Sequence, residues 1–220
     1  MQFIQFILAS MLEYVTFSTF AMVLFRFSVK EHLAKFLLSS FILALVSNTL
    51  QVESLQNISP LINVFFLIFL LSIILRIRLF HSMIMVVISY LTYTLIQWLL
   101  LTIFIKMGLF EEIKPYTFAG YFLQAASAFV LVLISLFIHY TNGGFSYIRS
   151  SSRFFKEEFK GNRLFLITLI VSLIVVFAVN GMYIGSVVLP LYFYSISIII
   201  LLILVILIYF SVRKDNTYDK

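Results

Sequence analysis

The chain has 220 residues, of which 63% are hydrophobic and 11% charged, and its mean hydropathy is +1.12. A soluble domain is typically about half apolar and a quarter charged, so this balance excludes an ordinary soluble fold and marks an integral membrane protein. The net charge of +6 does not imply a nucleic-acid partner, because the basic residues fall in short gaps between apolar runs, and the lack of cysteine excludes disulfides, thiolate metal sites and a cysteine nucleophile.

At roughly 20 apolar residues per crossing, about seven spans fit. Span 1 is expected from Phe3 to Phe25. It has no basic n-region, contains Glu13 and shows no small-residue cleavage site before Arg26, so it reads as a retained span and not a signal peptide. A basic gap, Arg26 to Lys35, leads to span 2 from Phe36 to Leu50, the shortest. The loop Gln51 to Ser59 carries Glu53 and no Lys or Arg, and Pro60 opens span 3, which ends before Arg76 and Arg78. Span 4 covers Leu79 to Ile105, the charge-balanced loop Lys106 to Pro115 follows, and span 5 runs from Tyr116 to His139.

The longest connection, Tyr140 to Arg163, opens with the turn signal Asn142-Gly143-Gly144. Span 6 is expected from Leu164 to Tyr183 and span 7 from Leu189 to Val212, separated at Asn180-Gly181, Gly185 and Pro190. One helix across both would measure roughly 70 Å, against a bilayer core of about 30 Å. The fold class expected is therefore all-α, a polytopic transmembrane helical bundle. Residues 1–212 form one domain with a basic loop at 140–163, and 213–220 a cytoplasmic tail too short to fold.

Alternate gaps hold Arg26, Lys30 and Lys35; Arg76 and Arg78; Arg149, Arg153, Lys156, Lys160 and Arg163; and Arg213, Lys214 and Lys220. That is thirteen of the fifteen basic residues, leaving only Lys106 and Lys114 on the other side. The positive-inside bias then puts the N-terminus outside and the C-terminus in the cytoplasm. A six-span bundle, in which span 2 does not cross, is the alternative, and it would scatter this segregation.

Glu13 is the candidate of first interest. A carboxylate near mid-bilayer costs roughly 2.5 to 3.5 kcal/mol on insertion scales and usually faces protein or a water-filled cavity. It reads either as a ligand contact, cation site or proton carrier, or as a hydrogen-bonded acid that packs helices. Asn48, Asn63, Gln97, Gln124 and Asn180 fall in the expected outer half of their spans, with Trp98, Tyr116, Tyr121 and Tyr183 nearby. The candidate ligand-binding set is Glu13, Asn48, Gln97, Trp98, Gln124, Asn180 and Tyr183, lining an outward-facing crevice. The competing reading is that amides join helices by hydrogen bonds worth about 0.6 kcal/mol each and that the aromatics form an interfacial belt.

From Phe145 to Lys160 the spacing predicts an amphipathic helix lying on the membrane. Ile148, Phe155 and Phe159 share one face, and Arg149, Arg153, Lys156 and Lys160 an adjacent one, suited to anionic lipid. A solvated topology determinant is the simpler alternative. His32, His81 and His139 sit at span ends without metal-ligand spacing, and no nucleophile or phosphate-loop motif occurs. Neither a cofactor nor an enzymatic activity is expected.

The pattern Leu12-Glu13-Tyr14, an apolar run, then Leu24-Phe25-Arg26-Phe27-Ser28-Val29-Lys30 and a second span ending near Val46-Ser47-Asn48, resembles the membrane sensor half of peptide-pheromone sensor histidine kinases of the accessory gene regulator type. The resemblance covers the whole chain in architecture and about residues 12–50 in residue pattern. It implies that an extracellular peptide binds the outer part and that the last span passes the signal on. The chain departs from the family after span 7, where no phospho-acceptor helix or ATP-binding domain follows, so the resemblance implies a stand-alone sensor-like domain acting through a cytoplasmic or membrane partner. The cysteine and histidine of the companion pheromone-processing protease are absent. The bilayer is the one general partner, and a hydrophobic or peptide ligand the expected specific one. A small transporter subunit with a site near Glu13, or a membrane scaffold, are the other readings.

Overall fold

The computed structural model describes residues 2–50, 59–110, 117–150, 163–185 and 190–218. Every regular element among them is helical: α1 (Gln2–Leu24), α2 (Val29–Thr49), α3 (Ser59–Leu75), α4 (Leu79–Lys106), α5 (Phe118–Tyr140), the single turn α6 (Tyr147–Ser150), α7 (Arg163–Gly185) and α8 (Pro190–Tyr218). The all-α expectation holds. Four helices, α1, α4, α5 and α8, are long and apolar enough to cross a membrane. α3 is apolar but has only 17 residues.

Two boundaries differ from the sequence reading. α2 begins at Val29 instead of Phe36, because Ser28 supplies an extended N-cap backbone and Lys30, Glu31 and Lys35 extend the helix as readily as apolar residues do. α8 runs on to Tyr218, so residues 213–218 continue the last helix instead of forming an unfolded tail.

Four helices end in the same six-residue hydrogen-bonded turn. Phe27 N–H donates to Met22 O (2.8 Å), Ile77 to Ser72 O (3.1 Å), Leu109 to Phe104 O (3.1 Å) and Gly143 to Ile138 O (2.9 Å). Such a closure needs one left-handed residue, for which glycine is the usual choice. Gly108 fills it after α4, with φ 69°, but after α1, α3 and α5 the residues are Arg26 (φ 55°), Arg76 (φ 54°) and Asn142 (φ 51°). A left-handed non-glycine residue costs roughly 1–2 kcal/mol. Arg26 offsets the cost by donating from Nη2 to Asn142 O (2.8 Å) and from Nε to Gly143 O (3.2 Å).

Those bonds, with Phe145 N–H to Leu24 O (2.8 Å), bring the C-terminal ends of α1 and α5 together. The rings of Phe80, Phe165 and Phe210 add the start of α4, the start of α7 and the end of α8 to the same place, at centroid distances of 6.3 and 5.7 Å. Arg26, Arg76, Arg78, Arg213 and Lys214 thus gather at one end of the bundle, and Lys106 lies at the other. We refer to the first as the basic end.

α4 is the axis of the bundle. In its apolar window 67% of residues are buried, against 44% for α1, 28% for α5 and 22% for α8, so the other helices pack around it and turn their remaining faces outward. On one side Ile84, Met85, Ile88 and Leu91 of α4 meet Leu169 of α7 and Ile200 and Leu207 of α8. On the other, Val86, Tyr93 and Ile96 meet Phe17 and Phe20 of α1, Leu43 of α2, Leu67 and Leu71 of α3 and Leu131 of α5. Exposed Phe65, Phe69 and Ile73 on α3, and Ile198, Leu202 and Val205 on α8, form the apolar exterior a bilayer would cover. Hydroxyls within this interior bond to backbone carbonyls: Ser127 to Leu123 O (2.7 Å), Ser135 to Leu131 O (2.8 Å), and Ser82 across to Ile68 O of α3 (2.5 Å).

Candidate functional site

Glu13 lies eleven residues before Leu24 on α1, about 16 Å along the helix from the basic end. Its carboxylate accepts a hydrogen bond from the Tyr93 hydroxyl on α4. One helical turn further, Gln97 Nε2 donates to Tyr93 OH (2.8 Å), which holds the phenol in line with the acid. Tyr14, the next residue on α1, is rotated about 100° from Glu13 and reaches α2 instead. There the Tyr14 and Ser47 hydroxyls pair, and Asn63 Nδ2 of α3 donates to Ser47 Oγ (3.3 Å). A chain of polar groups therefore crosses four helices at one level.

Two tyrosines complete the surroundings. Tyr90 lies one turn before Tyr93, its ring edge-on to Phe17 at 6.5 Å. Tyr121 of α5 packs with Tyr14 around Phe6, Ile7 and Ala44. Glu13, Tyr14, Tyr90, Gln97, Tyr121 and Gln124 are all half-buried, so this level keeps some accessible surface. Three buried polar atoms here lack a hydrogen-bond partner: Asn63 Oδ1, Tyr121 OH and Gln124 Oε1. Among the described residues no Lys or Arg lies within α1, α4 or α5 short of their ends. Glu13 is an acid set among tyrosines and amides with no basic side chain at its level on these helices.

Of the residues expected at the site, Glu13 and Gln97 meet through Tyr93. Gln124 sits on the neighbouring α5 with its carbonyl oxygen unmatched. Asn48 is half-buried beside Ser47, and it is Ser47 that takes part in the bonded chain. Trp98 turns away, packing on the opposite side of α4 with the α7 and α8 residues. Asn180 and Tyr183 fall on α7 with side chains outside the described residues. Tyr14, Tyr93 and Ser47 are the members that sequence reasoning missed. The spacing of Tyr93 and Gln97, four residues apart on one helical face, was the available signal.

Of the expected surface helix, only the start falls among the described residues. Phe145, Tyr147 and Ile148 are buried at 8%, 0% and 1% exposure, so the apolar face around Ile148 enters the protein instead of lying on lipid. Phe25 receives Phe145 and Tyr147, with ring centroids 5.4 and 6.1 Å away. Arg153, Lys156 and Lys160 lie outside the described residues, as does the side chain of Arg149.

A second polar cluster closes this basic end. Asp215 Oδ1 on α8 accepts from Ser146 N–H (2.8 Å), Ser146 Oγ (2.9 Å) and Tyr147 N–H (2.9 Å). Tyr147 OH pairs with Ser211 Oγ (3.3 Å), and Lys214 Nζ lies 5.5 Å from the Phe80 ring centre and 5.4 Å from that of Tyr147. Neighbouring Asp215 and Lys214 thus fasten the end of α8 by a carboxylate cradle on one side and a cation–π pair on the other.

Comparison with protein-family models, curated proteins and solved structures finds no match to this chain. The reading of the site rests on its own geometry.

Proposed function

We propose that the protein is a seven-span sensor of the cell membrane, with its N-terminus outside and its C-terminus in the cytoplasm. A hydrophobic or peptide ligand enters from outside at the level of Glu13, and a partner reads the position of α8 at the basic end. The observation that carries this reading is the Glu13–Tyr93–Gln97 chain. It is a partly accessible polar level on α1 and α4, in a bundle whose other end is closed by rings and by the Asp215 cradle. Because α4 packs on both core clusters, a ligand that shifts α1 against α4 has a direct route to α8. For a signal to pass, the ligand must favour one arrangement of α8 over another by differential binding. The partial resemblance of residues 12–50 to pheromone sensors agrees with it.

A carrier is the second reading, favoured by the same hydrogen-bonded acid. The two separate on one variant, Glu13→Gln. In proteoliposomes carrying a pH-sensitive dye, a carrier gives a proton flux under an imposed gradient that the variant loses. A sensor gives no flux in either form. In cells, a photo-crosslinker at the exposed Val212 on α8 then captures a membrane or cytoplasmic partner with a yield that changes in the variant. Glu13-dependent flux without such a change rejects the sensor.

A further inference from the structure

We infer that the ligand recognised at this level carries a protonated amine on an apolar body. The inference rests on the proposed crevice and names the chemistry it selects. Glu13 is a carboxylate with a single neutral donor, Tyr93, and the described helices around it bring no Lys or Arg to its level. The neighbouring buried atoms left without partners, Asn63 Oδ1, Gln124 Oε1 and Tyr121 OH, are all able to accept. A site with unmatched acceptors calls for a donor, and an ammonium group supplies three N–H donors with the charge Glu13 lacks opposite it. Tyr14, Tyr90 and Tyr93 add aromatic rings, whose faces attract cations. The adjoining cluster of Phe6, Ile7 and Ala44, with Met11 against it, offers an apolar wall for the rest of the molecule. A carboxylate or phosphate ligand would meet the like charge of Glu13 with no Lys or Arg at this level on the described helices to offset it.

The test uses the full chain in phosphatidylcholine nanodiscs at neutral pH. Octylamine, octanol and octanoate have the same tail and differ in charge, and binding is read by isothermal titration calorimetry with empty nanodiscs as the blank. Octylamine is expected to give saturable binding, at least tenfold weaker in Glu13→Gln, with the two other probes weaker by a similar factor. A hydrophobic tripeptide amide with a free N-terminus, compared with its acetylated form, shows whether a peptide amine is accepted as well as a simple alkylamine. Gln124→Leu provides a second variant, since the Gln124 carbonyl oxygen is bonded to nothing and its loss leaves the fold intact; it is expected to weaken octylamine severalfold. Helix content by circular dichroism confirms that each variant is folded. Equal octylamine binding by the folded Glu13→Gln protein overturns the inference. Saturable binding of octanol or octanoate as tight as that of octylamine also overturns it, while leaving the crevice standing. A lack of saturable binding by every probe overturns both.

Discussion

Asp215 and Ser146, far apart in the chain, are joined by two hydrogen bonds to one carboxylate oxygen, from the Ser146 backbone at 2.8 Å and its hydroxyl at 2.9 Å. The pair ties the last helix to the segment that follows α5. That segment is itself held to the end of α1 by the Phe145 N–H bond to Leu24 O. Three helices therefore share one small junction at the basic end, which holds the C-terminal end of α8.

Replacing Asp215 by Ala removes an ionised acceptor from two backbone N–H groups and one hydroxyl. Hydrogen bonds to charged groups contribute about 1.5–3 kcal/mol, so Asp215→Ala is expected to cost roughly that much, and Asp215→Asn less, because one neutral acceptor remains. The measurement is amide hydrogen exchange in nanodiscs. The Ser146 and Tyr147 amides should exchange faster in the Ala variant, while amides in the middle of α4 stay unchanged. Equal protection of Ser146 in variant and parent would show that the cradle contributes nothing.

Gly144 sits at φ +90°, and a Cβ there would lie 2.5 Å from Leu24 O, a backbone atom with no rotamer to give way. Gly144→Ala therefore combines conformational strain of about 1–3 kcal/mol with a clash that breaks the Phe145–Leu24 bond. Thermal unfolding should show a clear fall in Tm. The neighbouring Gly143, where the nearest atom is the Thr141 hydroxyl at 3.3 Å, should tolerate alanine far better.

The left-handed arginines offer a contrast. Arg76 is exposed at φ 54°, so Arg76→Gly relieves roughly 1 kcal/mol of backbone strain and is expected to raise Tm of the purified protein. Arg26→Gly relieves the same strain but loses both guanidinium bonds to Asn142 O and Gly143 O. Its Tm should stay level or fall. Parallel behaviour of the two variants would show that the Arg26 bonds carry no weight.

How much of this was legible follows from the range of each signal. Span ends were readable because apolar length and basic gaps are local: the helices at Gln2–Leu24, Ser59–Leu75 and Leu79–Lys106 lie within about two residues of expectation. The continuation of α8 through Arg213–Tyr218 was not, because hydropathy records where lipid ends and not where a helix ends. Glu13 stood out as an acid in an apolar run, but its partner Tyr93 depends on how α1 and α4 are rotated against each other. Ile148 illustrates the opposite limit. Its periodicity marked an apolar face, yet a face buried in protein and one laid on lipid have the same period, and only the Phe25–Phe145–Tyr147 rings decide between them.

Tyr93→Phe isolates the polar level without removing charge. It deletes the donor to Glu13 and the acceptor of Gln97 Nε2 together while keeping the ring in the α1–α4 interface. Leaving two half-buried groups unmatched costs at most about 1–3 kcal/mol each, so the variant should unfold at a lower temperature than either parent or Gln97→Leu, which removes only the outer member. If Tyr93→Phe and Gln97→Leu are equally stable, the carboxylate does not depend on the phenol.

The orientation of the bundle has a direct measurement, and the chain has no native cysteine to interfere. The geometry gathers Arg26, Arg76, Arg78, Arg213 and Lys214 at one end and leaves Lys106 at the other. Under the positive-inside bias the basic end faces the cytoplasm, and each of the seven long helices then runs opposite to the one before it. Single cysteines introduced between Gln51 and Ser59, or between Lys106 and Pro115, should react with a membrane-impermeant maleimide in intact cells. Cysteines between Tyr140 and Arg163 should react only after permeabilisation. α2 decides the count, because its first turns carry Lys30, Glu31 and Lys35 and its apolar part is short. If it fails to cross, every later loop changes sides: Gln51–Ser59 and Lys106–Pro115 become inaccessible from outside, Tyr140–Arg163 is labelled in intact cells, a cysteine between Arg26 and Lys35 stays protected, and a six-span protein replaces the seven-span one. If a cysteine between Arg26 and Lys35 is labelled from outside as well as Tyr140–Arg163, the orientation is reversed. An extracellular ligand would then have to pass the ring-packed basic end to reach the Glu13 level, which lies midway along α1.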